Sequence, residues 1–113
     1  VLRVTHAGRR ILLCGDIQEQ AQRRLIGMAD LKADVLILPH HGEYTRVTGA
    51  FIRAVDPEVC IRSSRQRDCD TRAELLRAVG ERRYFNTADD GAVEVTLRGE
   101  GVSARTYRRR GDP

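Results

Sequence analysis

The chain has 113 residues, 41% of them hydrophobic and 32% charged, which sets one compact unit with a core of its own and excludes wholesale disorder. Aromatic residues make up only 4%, with no Trp, so Leu, Ile, Val and Ala must build that core. No apolar run approaches the roughly 20 residues needed to cross a bilayer. The formal net charge of +4 is compatible with an acidic or phosphate-bearing partner. Only Lys32 among the 20 basic residues is a lysine, and a bias that extreme points to an arginine-rich coding background more than to a binding surface.

The chain opens on Val1-Leu2-Arg3-Val4, a strand pattern, without a start Met or a signal-peptide pattern. A chain that begins inside an element is expected to be cut from something longer. Val1 to Thr5 alternates apolar and polar residues, Ala7-Gly8 makes a turn, and Ile11 to Cys14 is a short apolar run, which together predict a hairpin. Gly15-Asp16 ends the second strand. Ile17, Ala21, Leu25 and Met28 recur at helical spacing and predict a helix over 17–28 with that face inward. Val35 to Leu38 is a continuous aliphatic run, as expected of a strand buried on both faces, and it stops at Pro39, before His40-His41-Gly42. A short helix over 50–55 ends ahead of Pro57, and Val59 to Ile61 is the next buried strand. Residues 62–70 form a charged loop. Thr71 to Val79 reads as a helix with Leu75, Leu76 and Val79 inward and Gly80 as its stop. Arg83 to Phe85 is a strand, Asp90-Gly91 a turn, and Ala92 to Leu97 and Val102 to Tyr107 close the chain as a hairpin. The expected order is β-β-α-β-α-β-α-β-β-β: a layered α/β unit over 1–107 with an antiparallel end, followed by a flexible tail at 108–113. Cys14 and Cys60 fall in apolar runs and read as small core residues, and Cys69 sits in a polar loop. The three form neither a disulfide framework nor a zinc knuckle.

Ligands in layered α/β folds collect beyond the strand ends, where loops leave the sheet. Two such ends here carry groups that bind metals. Asp16 follows the strand at 11–14, and His40-His41 follow the strand at 35–38. A carboxylate oxygen and an imidazole nitrogen are ordinary ligands for zinc or manganese. Each also has a plainer reading: Asp16 as the N-cap of the following helix, and the histidine pair as polar surface. His6, near the first turn, reads as a surface residue.

These residues resemble a known family. Leu12-Leu13-Cys14-Gly15-Asp16-Ile17 and Ala33-Asp34-Val35-Leu36-Ile37-Leu38-Pro39-His40-His41-Gly42 are similar to the metallo-β-lactamase domain of the ComEC-type DNA-internalisation competence proteins and of their stand-alone hydrolase relatives. Phe51-Ile52, Ala54-Val55-Asp56-Pro57 and Thr87-Ala88-Asp89-Asp90-Gly91-Ala92 extend the resemblance over nearly the whole chain. It implies the C-terminal half of an αββα sandwich and a site for two divalent metal ions, zinc or manganese. Asp16 would bridge the two ions and His40 or His41 would ligate the second, with His40 favoured as the nearer to the strand end. His41 would then support that ligand or face a phosphate, so that Asp16 and His41 are the implied catalytic residues. The implied reaction is attack of a metal-activated water on a phosphodiester, with DNA as a partner during uptake.

By the same resemblance, the other partner is the N-terminal half of the domain. That half carries the family's His-x-His-x-Asp-His cluster, which is absent from this sequence, so the chain alone is expected to be inactive. The parent would be membrane-embedded with this domain outside the cytoplasm, or cytoplasmic if it is a stand-alone relative. Two departures stand out. Glu43 occupies the place where the family usually has Ser, a carboxylate expected to repel phosphate. The loop Gln66-Arg67-Asp68-Cys69-Asp70 lacks the Gly-His-Pro stretch of many relatives. These departures favour an alternative ester substrate. A non-catalytic alternative is a nucleic-acid-binding module using Arg62, Arg65, Arg67, Arg72 and Arg108-Arg109-Arg110, against the plainer reading of each as a solvated surface side chain.

Overall fold

The two aliphatic runs that end at Leu38 and Ile61 become the middle of a sheet because both of their faces are covered. The computed structural model describes residues 1–28, 30–66 and 70–107. The elements run β1 (Leu2–His6), β2 (Arg9–Leu13), α1 (Glu19–Ile26), β3 (Val35–Ile37), α2 (Thr48–Val55), β4 (Val59–Arg62), α3 (Arg72–Val79), β5 (Arg83–Asn86), α4 (Thr87–Asp90), β6 (Val93–Arg98) and β7 (Gly101–Thr106). Strands β1 to β5 form one sheet in sequential order, with β1 antiparallel to β2 and the rest parallel. β6 and β7 pair as a separate antiparallel sheet. The protein is therefore an α/β fold with a mixed sheet and a second, smaller sheet, in the element order expected from the sequence except for the added helical turn α4 between β5 and β6.

A sequential run of parallel strands sends every crossover helix to the same face when each crossover takes its usual right hand. The core shows this division. Leu12, Cys14, Leu36, Leu38 and Cys60 face the helices and pack with Phe51, Ile52, Val55, Leu75 and Val79. The alternate positions, Ile11, Val35, Ile37, Val59, Ile61 and Phe85, face the β6–β7 hairpin and pack with Val93, Val95, Leu97 and Val102. Each central strand thus serves two cores.

The hairpin covers only part of its face. Leu2 pairs in register with Leu13, and Val4 with Ile11, so Leu2, Val4 and Leu13 lie on the hairpin side of the sheet. All three are exposed large apolar residues, at 60%, 40% and 37%. β1 is exposed along its whole length and forms one edge of the sheet. Among the described residues, no helix is long and apolar enough to cross a membrane.

Burial settles the chemistry of two cysteines. Cys14 and Cys60 are buried in the helix-side core, and desolvation of the thiolate pushes both thiols up to about 12. Iodoacetamide at pH 8 should leave both unmodified in the native protein and label both in denaturant, as read by peptide mapping. Fast labelling of either in the native state would contradict this burial.

Several expectations need correction. α1 begins at Glu19, not Ile17; Gln18 holds the cap position in an extended conformation with no side-chain cap bond, so Asp16 is not the N-cap. The helix ends at Ile26, which leaves Met28 60% exposed, while Gln22 takes an inward place at 2%. α4 was not expected: the Asn86 side chain accepts the Ala88 N–H and closes a single helical turn ahead of Gly91. His6 is on the surface, as expected. The expectations for Arg67, Cys69 and the tail at 108–113 lie outside the described residues.

Candidate functional site

The C-terminal ends of β2, β3, β4 and β5 lie side by side, because these strands are parallel neighbours. The chain leaving β2 turns at Gly15 (φ +64°), and the chain leaving β3 turns through Pro39–Gly42. One backbone bond ties the two loops, from the His40 N–H to the Gly15 carbonyl at 2.8 Å. This bond sets Asp16 and the histidine pair against each other.

The turn after β3 is unusual in its backbone. His40 (φ 51°, ψ 49°) and His41 (φ 55°, ψ 27°) are both left-handed, and Gly42 follows at φ +80°. A left-handed non-glycine residue costs roughly 1–2 kcal/mol, so the surroundings must hold this turn. Arg62 Nε donates to the His41 carbonyl at 2.9 Å, and the Glu43 N–H donates to the His40 carbonyl at 3.1 Å. Gly42 packs so closely on the Arg62 stem that a Cβ there would lie 2.6 Å from Arg62 Cγ. Gly42→Ala should therefore lower stability by about 2 kcal/mol or more, through its left-handed backbone and this close approach together. The shift would be read as a lower urea midpoint. An unchanged midpoint would show that the turn is not held as described.

The turn sends the two imidazoles apart. His41 Nε2 lies 3.4 Å from Asp16 Oδ1, with both side chains largely exposed. His41 Nδ1 is 2.9 Å from the carbonyl of Ser63, just beyond β4. A carbonyl can only accept, so Nδ1 is the donor there, and in the neutral form of the ring Nε2, facing Asp16, is the nitrogen with the lone pair. His40 turns its Nδ1 to the Glu43 carboxylate instead. Of the residues expected at the site, the structure brings Asp16 and His41 together and pairs His40 with Glu43. Among the described residues, no three His, Cys, Asp or Glu side chains gather where they could hold a metal.

A cavity of about 750 Å³ opens on the same side, lined by His40, His41, Glu43, Arg62, Ser63 and Thr87 among others. Thr87 Oγ1 donates to the Ser64 carbonyl at 2.9 Å and accepts the Ser64 N–H at 3.0 Å, which fixes the loop after β4 to the start of α4. Asn86, buried at the end of β5, donates Nδ2 to the Gln66 carbonyl at 3.0 Å. Arg62 was expected in solvent as part of a charged loop. It is instead the last residue of β4 and only 4% exposed. The strand-end rule that singled out Asp16 and His40 also applies to Arg62, which directly follows the apolar run Val59–Ile61. Nothing in the local sequence pointed to Asn86, and Thr87 entered only as part of a resembling stretch, with no role attached.

No protein-family profile matches the chain. Competence protein ComA of Neisseria gonorrhoeae is 32% identical to it over 115 residues, an alignment that covers 96% of this chain and 16% of that protein. The chain thus spans a small part of the length of this relative. Across 96% of its own length, the chain described here is a relative of a competence protein.

Proposed function

We propose that the chain is the C-terminal half of a metallo-β-lactamase-type domain, in which Asp16 and His41 supply part of a two-metal centre that hydrolyses phosphodiesters in the course of DNA uptake. The observation that carries this reading is the Asp16–His41 pair at the ends of adjacent parallel strands, with the imidazole oriented by the Ser63 carbonyl. A backbone carbonyl on the far nitrogen is the usual support for a metal-binding histidine. Two donors bonded to one tetrahedral ion at about 2.0–2.1 Å sit roughly 3.3 Å apart, and the 3.4 Å between Nε2 and Oδ1 fits that spacing. The donor set, one carboxylate and one neutral imidazole, suits zinc or manganese. When bound, the ions would supply activation of water and neutralisation of charge developing on a phosphoryl group.

The remaining ligands belong, in this reading, to an N-terminal half that completes the domain. Two features support it. The second sheet has only two strands, and the exposed stripe Leu2, Val4 and Leu13 lies beside it on the same face. A stripe of this kind is what a larger second sheet would cover. The link to DNA uptake draws on the name of the competence relative. Glu43, a departure from the family, spends its carboxylate on His40, which lessens its repulsion of a phosphate.

The test is hydrolysis of single-stranded DNA by the complete protein loaded with manganese or zinc. Cleavage that stops on chelation and returns with metal is expected. Metal-loaded protein that binds DNA with a steep salt dependence but leaves it intact would favour a binding module instead, built on exposed arginines such as Arg65.

A further inference from the structure

The cavity beside the Asp16–His41 pair holds a cation with no partner for part of its charge. Arg62 is 4% exposed and lines the cavity. Its Nε is used on the His41 carbonyl at 2.9 Å, and its Nη1, also buried, has no hydrogen-bond partner. Among the described residues it forms no ion pair with a carboxylate. A buried guanidinium left in this state is costly, because its Nη1 has given up water without gaining an acceptor. The cost is relieved if an anion completes the site.

We propose that Arg62 anchors a phosphate-binding subsite in this cavity, which takes a phosphate group of the substrate next to the metal pair. The proposal rests on the phosphodiesterase reading for the word substrate, and on the geometry of Arg62 alone for the phosphate. The guanidinium fork is the side chain best matched to phosphate oxygens, and here its stem is already immobilised against Gly42. Arg65 lines the same cavity and adds a second positive charge at its exposed side. The one carboxylate among the described lining residues is Glu43, and it is turned to His40 Nδ1. The cavity, at about 750 Å³, has room for a nucleotide-sized group. Position follows from the same contacts. Arg62 holds the His41 carbonyl and the next residue, Ser63, holds the His41 ring, so a phosphate on Arg62 is fixed relative to the imidazole that faces Asp16.

The test uses the complete protein stripped of metal with a chelator, so that phosphate cannot bind through the ions. Inorganic phosphate is titrated at constant ionic strength against chloride, by calorimetry and by the shift in Tm. Phosphate should bind and raise Tm, Arg62→Gln should weaken binding at least tenfold, and Arg62→Lys, which keeps the charge and most of the stem, at least threefold. No phosphate binding by the metal-free wild type overturns the proposal without recourse to any variant. Equal binding by either folded variant overturns it as well. A single-stranded tetranucleotide, run in parallel, separates the sources: tighter binding than phosphate, lost in Arg62→Gln, assigns the subsite to a nucleotide phosphate, and equal binding assigns it to a lone phosphate group. Hydrolysis by the metal-loaded protein without phosphate binding by the stripped one overturns the subsite alone. Phosphate binding without hydrolysis supports the subsite and sinks the phosphodiesterase reading.

Discussion

Asp16→Asn in the complete protein should lower metal-dependent DNA hydrolysis on the order of a thousandfold, several kcal/mol of transition-state stabilisation, and should cost more than His41→Ala. A carboxylate has two anionic oxygens and can serve two ions at once, as the family resemblance implies for this position. The amide offers one neutral oxygen. His41→Ala removes a single donor, for an expected loss of roughly 10–100-fold. The structure makes the Asp16 experiment clean. Asp16 is exposed, makes no cap bond to α1 and, among the described residues, pairs only with His41, so its loss should leave stability within about 0.5 kcal/mol of the parent. Activity and stability should therefore separate. Near-equal losses for the two variants, or no loss at Asp16, would contradict the roles assigned to them.

Leu36→Asp should prevent folding altogether. Leu36 is completely buried in β3, opposite Leu12 and Cys60 in the ladder and packed beneath the helices. A charged carboxylate there has no partner, and its burial would cost far more than the roughly 5–15 kcal/mol that holds a domain together. Protonation lessens the penalty but leaves an unpaired polar group and a lost leucine, each costing about 2–3 kcal/mol. Circular dichroism and limited proteolysis should show an unfolded or insoluble product. A soluble, protease-resistant Leu36→Asp protein would mean that β3 is not the doubly covered strand described above.

The parts of the fold that were legible from the residues are those where one local pattern decides the outcome. Val35–Leu38 and Val59–Ile61 have no polar position to turn outward, so they could only be strands covered on both sides, and they are. The turn at Ala7-Gly8 was legible from Gly8, which accepts its left-handed backbone (φ +77°), although Ala7 takes φ +52° without that freedom. The misreadings share a cause. Asp16 as a helix cap and Arg62 as a solvated side chain were judged by residue type, whereas their surroundings are set by neighbours distant in sequence. Ile17 packs on the core ahead of the helix, which starts at Glu19, and Arg62 bonds the turn at His41. Asp16 and the histidine pair could be found because strand ends in an α/β sheet are where loops can gather chemistry. Which histidine faces Asp16 could not. That depends on two left-handed residues and on a carbonyl at Ser63, features that no spacing in the chain encodes.

Metal binding by the stripped complete protein tests the account at its centre. In titrations with zinc and manganese, Asp16→Asn and His41→Ala should each weaken binding at least tenfold, and His40→Ala, whose ring is turned to Glu43, should change it little. Wild-type affinity in both Asp16→Asn and His41→Ala, or a loss confined to His40→Ala, would contradict the claim that Asp16 and His41 share a metal.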